Sequence, residues 1–503
     1  MSSSNIAILK SRLTPMLRPS NTTMSIYAIA ATMFVFVSVP QLTISYLAHL
    51  TQSAIDQFSL SLLLISSFMV LLVIGLSISP VGKIRLGGEL STPEFSTPSW
   101  LAMLFTAGMG SGLIFWGIAE PSFHASNLPV FAQNLGDDTD TALAITYFHW
   151  GLHAWAIYAI TALAIAWFSY NRKRTLHISS TFTSKSKRGW YSVVDWMAVI
   201  AIIFGVAGTF ANAIALIQTG LGQTLSKPID SFSFRYSLLI AIAILFTASS
   251  LLGLQKGIKR LSLFNTVIML AMVIAAFALI DPIQTLIRIT SSSLAYIELL
   301  PKVSFSIEPQ SHSWSLGWTV TYLVWWIAWA PFVGPFIARI SRGRTIRQFL
   351  ACVVLIPTLA SIIWFSTFGG ASLDSDFSAQ VINSVSKDYT QGLFVFFEHL
   401  PLSQMFSIAA LILLVTFIIT SADSALFVCS MLTNTDNNRA RLIWAIILVL
   451  LSASLLYDND VELNKQIAIA GALPFTLIIV LQVIILIKDI IKNNKGDLST
   501  DLE

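Results

Sequence analysis

The sequence predicts an all-α, polytopic membrane protein. Three observations predict it: only 11% of the 503 residues are charged, the mean hydropathy is +0.75, and apolar runs of membrane-crossing length follow one another along the chain. A soluble protein needs roughly 25% charged residues to cover its surface. With 33 Phe and 14 Trp the chain is also too apolar for a disordered polymer. The unit of length is therefore the span of about 20 apolar residues, not the soluble domain. A net charge of +4 is too small to argue for a nucleic-acid partner. Cys352 and Cys429 both sit in apolar runs, which excludes a disulfide framework and a cysteine-based metal site and marks them as small core residues.

Runs of roughly 18 or more apolar residues with few charges fall at 24–46, 58–80, 98–123, 140–169, 192–224, 235–253, 261–281, 314–340, 349–371, 403–432, 440–457 and 466–490, twelve spans in all. The amino terminus does not resemble a cleaved signal, because a polar stretch with Lys10, Arg12 and Arg18 leads into a full-length span. Two of the connections are long. Residues 284–300 read as an amphipathic helix with Ile287, Leu294, Ile297 and Leu300 on its apolar side, and 378–400 is similar; both are expected on the membrane surface.

The connections alternate in charge. One set carries Lys10, Arg12 and Arg18; Lys83 and Arg85; Arg172, Lys173, Arg174, Lys185, Lys187 and Arg188; Lys256, Lys259 and Arg260; Arg339, Arg342, Arg344 and Arg347; Arg439 and Arg441; and Lys488, Lys492 and Lys495. These are 23 of the 29 basic residues. The other set collects acids such as Asp137, Asp138, Asp140, Asp374, Asp376, Asp458 and Asp460. By the positive-inside rule both termini are cytoplasmic, and a miscounted span would break the alternation. The arginines at 339–347 serve topology, anionic lipid or pairing with another cytoplasmic segment.

Binding sites in membrane carriers lie where spans are interrupted by Gly and Pro. Span 3 holds Gly108-Met109-Gly110-Ser111-Gly112 and then Glu120-Pro121, while span 8 holds Pro331, Gly334 and Pro335. The two lie five spans apart, so spans 3 to 7 and 8 to 12 read as two inverted five-helix repeats, each opening on a broken helix. Glycines also serve close helix packing, but three in five residues matched by a second interrupted span favour a site. This divides the chain into a cytoplasmic segment (1–23), two preceding transmembrane helices (24–80), a first repeat (98–281), the amphipathic surface helix (284–300), a second repeat (314–490) and a short cytoplasmic tail (491–503).

Aromatic residues gather in two of these spans. On a continuous helix Trp150, Trp155 and Tyr158 of span 4 fall within about a 140° arc, and Trp325, Trp326 and Trp329 of span 8 within about 100°. Single membrane tryptophans are usually interfacial anchors, as Trp100 and Trp190 beside span ends suggest. Six rings in two clusters instead suit a methylated cation, because ring faces carry negative potential and quaternary ammonium cannot hydrogen-bond.

At these residues the sequence resembles the betaine/choline/carnitine transporter family. The stretch WWIAWAPFVGPFIARISRGRTIRQF from Trp325 to Phe349 carries the likeness, supported by GMGSGLIFWGIAEP at 108–121, HWGLHAWAIY at 149–158 and TSADSA at 420–425, and it extends over about residues 24 to 490. The resemblance implies a LeuT-like five-plus-five inverted repeat, often a homotrimer, and uptake of trimethylammonium solutes. It makes Trp150, Trp155, Tyr158, Trp325, Trp326 and Trp329 the aromatic box, with Met109, Ser111 and Gly112 on the broken helix lining it. It also implies a sodium ion held by carbonyls of Thr106, Met109 and Phe417 and hydroxyls of Thr420 and Ser421, oxygen ligands that suit a hard cation. Proton-coupled choline members tend to carry aspartate at the position of Gly112, and no other acid is read near the site. Exchanging members use a basic side chain in the fifth span, whereas 197–226 contains no Lys or Arg. Thr321, Leu323, Ala328 and Ser111 also depart from residues common among related betaine carriers.

The expected function is sodium-coupled import of a betaine-like quaternary ammonium or dimethylsulfonium solute across the inner (plasma) membrane. A proton-coupled or exchange carrier of choline or carnitine is the alternative. A membrane enzyme or osmosensor is the third class, but no catalytic triad, metal set or nucleotide loop is visible, the tail is short, and no cofactor is expected. Glu120, Asp195 and Asp423 lie within or near spans, where ionisable groups are costly and often functional; Glu120 reads as a local cap or a local pair, and Asp423 as either a proton relay or a bond to neighbouring helix ends. His149 and His153 are one turn apart, a spacing open to a metal but without a third ligand.

Overall fold

From Pro40 to Ile78 the chain runs as one 39-residue helix, α1. The computed structural model describes residues 31, 40–133, 136–182, 192–227, 229, 231–255, 257–433, 437–458, 464, 468–469 and 472–494. Most of the first predicted span, the 1–23 segment, Trp190 and the tail beyond 494 lie outside them. The outer connection expected at 47–57 is part of α1. No glycine or proline falls within 47–57, and at 1.5 Å per residue α1 is ~58 Å long, well over a bilayer's hydrocarbon thickness.

The remaining helices follow as α2 (Thr97–Gly108), α3 (Gly112–Ser126), α4 (Asp138–Trp150), α5 (Leu152–Ala166), α6 (Ser192–Thr224), α7 (Phe232–Leu252), α8 (Ile258–Leu279), α9 (Pro282–Phe305), α10 (Thr321–Ile340), α11 (Ile346–Trp364), α12 (Ser378–Lys387), α13 (Gly392–Glu398), α14 (Ser403–Leu432), α15 (Asn438–Asp458) and α16 (Ala472–Asn494), single turns aside. No strand occurs among the described residues. Ten helical segments there are long and apolar enough to cross a membrane, and α2 with α3, bent by 60° at residues 109–111, makes an eleventh.

Helix α5 is the centre: every residue from His153 to Ala166 is buried. It is apolar all round, as a helix enclosed by others must be, and it packs against α10, α11 and α1. Helices α7 and α8 lie at the periphery and leave Ile240, Ile244, Val267, Leu270 and Ile274 exposed, a surface suited to lipid. Helix α9 occupies the predicted amphipathic segment, but its apolar stripe faces away from the protein: Ile287, Leu294 and Ile297 are exposed, while Arg288, Ser292 and Tyr296 are buried against α4.

The charge pattern has a structural counterpart. Arg344 donates to the Phe95 carbonyl (2.7 Å) and the Thr97 hydroxyl (2.9 Å), Arg347 to the Ser77 carbonyl (2.6 Å), and Arg339 pairs with Glu94 at 2.7 Å. The basic cluster after α10 therefore ties down the segment after α1. Elsewhere Arg288 gathers Asp137, Asp140 and Asp374.

Two further sequence expectations are corrected. Span 8 is not broken like span 3, because α10 stays helical through Pro331 and Pro335 and the irregularity is a wide π-turn before it, Leu316–Val320. Proline removes one N–H, a loss that close-packed neighbours tolerate inside a bundle. Trp100 is no interfacial anchor. It is fully buried, donates to Ser341 Oγ at 2.9 Å and lies under the Arg344 guanidinium.

Candidate functional site

The interruption in span 3 begins where regular hydrogen bonding stops. The last bond of α2 is Met109 N–H to Phe105 O, and α3 resumes with Phe115 N–H to Ser111 O. Between them Gly110 sits at φ +47°, where a side chain would be strained. Gly108 and Gly112 serve close approach. A Cβ on Gly108 would lie 2.6 Å from the Trp155 ring, and one on Gly112 would lie 3.0 Å from Trp150.

Span 4 is itself broken, at Gly151, whose ψ of −128° separates α4 from α5. The arc expected for Trp150, Trp155 and Tyr158 spans that irregularity, within what is still one membrane-length segment, and their rings converge. Trp150 meets Trp326 at 5.2 Å, Trp326 meets Tyr158 at 5.9 Å, and Tyr158 meets Trp155 at 5.6 Å, all edge-to-face. Such pairs contribute about 0.5–1.5 kcal/mol each beyond burial. The Trp155 and Trp329 N–H groups and the Tyr158 hydroxyl are buried with no protein partner, so each can donate to a polar group of a ligand.

The other two predicted rings flank this chain. Trp325 stacks on Tyr322 at 6.2 Å, and Trp329 packs on Phe332 at 5.7 Å and lies beside Gly205 of α6. The helical turn of about 100° per residue points neighbours 325 and 326 in different directions. Met109 and Ser111 are buried at the break.

The candidate sodium ligands lie on α2, the break and α14, and α2 and α14 pack together. Ser421 Oγ would be 3.0 Å from a Cβ on Gly110, which puts it at the interruption. Thr420 bonds back to the Phe417 carbonyl at 2.9 Å. Thr106 bonds back to Ala102 O at 2.9 Å and contacts Ser262 Oγ of α8 at 2.6 Å, a hydroxyl the sequence reading missed.

Glu120, expected to cap or pair locally, pairs with His124 one turn on and reaches well beyond it. It is fully buried, and its two oxygens accept from His149 Nδ1 (2.7 Å), His124 Nε2 (3.3 Å), Trp150 Nε1 (2.7 Å) and Tyr322 Oη (2.5 Å). An acid therefore does sit beside the aromatic rings, contrary to the sequence reading, because helices α4 and α10 bring their donors to the third span. The spacing Glu120-x-x-x-His124, one turn, was the available signal. His149 Nε2 meets the Thr319 hydroxyl at 3.1 Å, and the His149 carbonyl accepts from Trp326 Nε1 at 2.7 Å. Ligand atoms of Glu120, His124 and His149 lie within 4.8 Å of one another, a spacing open to a divalent ion, but here they bond to each other.

His153, one turn from His149 in sequence, meets Ser67 Oγ at 3.1 Å and Ser304 Oγ at 3.3 Å through its Nε2. Asp423 accepts from Ser249 at 2.6 Å and ties α14 to the end of α7. Asp195 accepts from the N–H (3.0 Å) and the hydroxyl (2.5 Å) of Ser179.

Comparison with known proteins places this geometry in context. The sequence model described as BCCT, betaine/carnitine/choline family transporter, matches residues 21–495. The chain is 38% identical over 467 residues to the glycine betaine transporter OpuD of Bacillus subtilis (strain 168), covering 89% of this chain and 90% of that protein. It is 38% identical over 440 residues to a glycine betaine transporter of Acinetobacter baylyi, covering 85% of this chain and 66% of that protein. A glycine betaine/proline/choline/ectoine transporter of Vibrio parahaemolyticus is 34% identical over 459 residues, covering 86% of this chain and 80% of that protein.

Proposed function

Because the chain belongs to the betaine/carnitine/choline transporter family, and so is a transporter and not an enzyme, we propose that it imports betaine-like quaternary ammonium or dimethylsulfonium solutes by sodium symport with alternating access. The observation that carries this reading is the chain of rings Trp150–Trp326–Tyr158–Trp155 laid against the broken third span. Ring faces attract a methylated cation, and the buried donors among them suit a substrate carboxylate. Oxygen atoms of Thr106, Met109, Phe417, Thr420 and Ser421 at the α2–α14 contact form the coupling-ion site in this reading. An inner-membrane location with cytoplasmic termini, and a homotrimer whose mass light scattering of the solubilised protein would report, belong to the same proposal.

The test is uptake of labelled glycine betaine into proteoliposomes with sodium and pH gradients imposed separately. Inward sodium is expected to drive accumulation, and Trp326→Ala to raise the half-saturation concentration about tenfold or more. Accumulation that follows pH and ignores sodium would overturn the coupling. A second reading, transport of choline, gains one observation, since Glu120 beside Trp150 supplies the counter-charge that a cation without its own carboxylate requires. Labelled choline in the same assay decides between them.

A further inference from the structure

Glu120 is an ionisable side chain with no exposed surface inside a span, a placement that is costly and retained mainly where it has a task. The glycine betaine reading assigns it none. Its oxygens divide the work. Oε1 faces His149 and His124, and Oε2 takes Trp150 Nε1 and Tyr322 Oη. Trp150 Nε1 can only donate, and Tyr322 Oη and the two imidazoles can each donate as well, an arrangement that suits a carboxylate accepting at both oxygens. With Nδ1–H of His149 directed at Glu120, its Nε2 accepts from the Thr319 hydroxyl and both ring nitrogens are satisfied.

The consequence reaches the rings. An indole with its N–H held has its ring plane fixed, so Oε2 fixes Trp150 directly. The same His149 whose ring Oε1 holds presents its carbonyl to Trp326 Nε1. One carboxylate on α3 therefore sets both rings of the closest pair, 5.2 Å apart, one from α4 and one from α10. It also places a negative group one indole away from the ligand, where a low dielectric strengthens its attraction for a cation.

We propose that Glu120 is the positioning residue of the aromatic cage, holding Trp150 directly and Trp326 through the His149 carbonyl, and that its carboxylate makes the cage select a quaternary ammonium group over a neutral group of the same shape. This rests on the reading of those rings as the substrate site.

Purified wild type, Glu120→Gln, Glu120→Asp, Tyr322→Phe and Trp326→Ala are compared by proteoliposome uptake kinetics. Tryptophan-fluorescence titration is run with glycine betaine and with 3,3-dimethylbutanoate, which has carbon in place of nitrogen. Gln keeps the shape but presents an NH2 group to donors on one side. It is expected to raise the half-saturation concentration about tenfold or more, to change the maximal rate much less, and to narrow the preference for the charged ligand. Asp keeps the charge but is one methylene short, so it loses affinity and keeps the preference. Tyr322→Phe removes one donor and is expected to do the same more mildly. A folded Glu120→Gln with wild-type half-saturation and preference overturns the proposal while Trp326→Ala is impaired. If Glu120→Gln does not fold, unchanged affinity in both Glu120→Asp and Tyr322→Phe overturns it. Normal uptake by Trp326→Ala removes the cage reading and this inference with it.

Discussion

At Gly110 the backbone occupies the left-handed region between α2 and α3, and a methyl group there would also press on Ser421 Oγ at 3.0 Å. An alanine costs about 1–2 kcal/mol in that conformation. Gly110→Ala is accordingly expected to raise the sodium concentration for half-maximal uptake about fivefold or more, measured by varying sodium at fixed substrate, with a smaller effect on substrate affinity at saturating sodium. The glycines and the tryptophans were legible in the sequence because an interrupted apolar run and a cluster of large rings are visible one residue at a time. Glu120 was not. Its four partners come from residues 124, 149, 150 and 322, and only packing of α3, α4 and α10 turns a lone acid before a proline into a hub. Of the six predicted rings, four form one edge-to-face chain, and Trp325 and Trp329 flank it, Trp325 through Tyr322.

Helix α9 shows what periodicity conveys and what it does not. Its existence and amphipathic character follow from sequence, and Asp281 caps its start by accepting from Ile283 and Gln284 N–H. Which side faces the protein does not follow, since a membrane protein can turn an apolar stripe to lipid and bury a polar one. Arg288 makes that choice, pairing with Asp137 at 2.8 Å, Asp140 at 2.8 Å and Asp374 at 2.6 Å, and joining α9 to the start of α4 and the end of the ninth span. Arg288→Ala leaves three carboxylates together and is expected to cost about 3 kcal/mol, seen as a fall of several degrees in the thermal midpoint of the solubilised protein. Burial opposes the charge of Asp137, but its hydrogen bonds to Arg288 and to the Asp140 N–H outweigh burial and hold its carboxyl below the ordinary 3.8. The stability from that contact is therefore complete above the ordinary value and is lost as pH falls below it. Hydrogen exchange of α9 in wild type is expected to rise toward that of Arg288→Ala on acidification below this value, and to stay well below it at neutral pH.

For the whole molecule, the alternation of basic and acidic connections makes a prediction about sidedness. With Cys352 and Cys429 replaced, Asp376→Cys is expected to react with an impermeant maleimide in intact cells, and Thr175→Cys only after permeabilisation; the reverse pattern would invert the topology. The structure adds that the basic connections also bond to one another's backbone, as Arg344 does to Phe95 and Arg85 to the Gly343 carbonyl at 2.5 Å. By itself the sequence determined the membrane class, the family, nearly all the helices and the residues of the interrupted third span, because each is written in local hydropathy, charge and motif. Only the tertiary structure decided that α1 is continuous, that the fourth span breaks at Gly151 while α10 does not break at its prolines, and that an acid stands beside the rings. Those outcomes depend on which neighbours satisfy a freed backbone group or a buried charge, and the neighbours are distant in sequence.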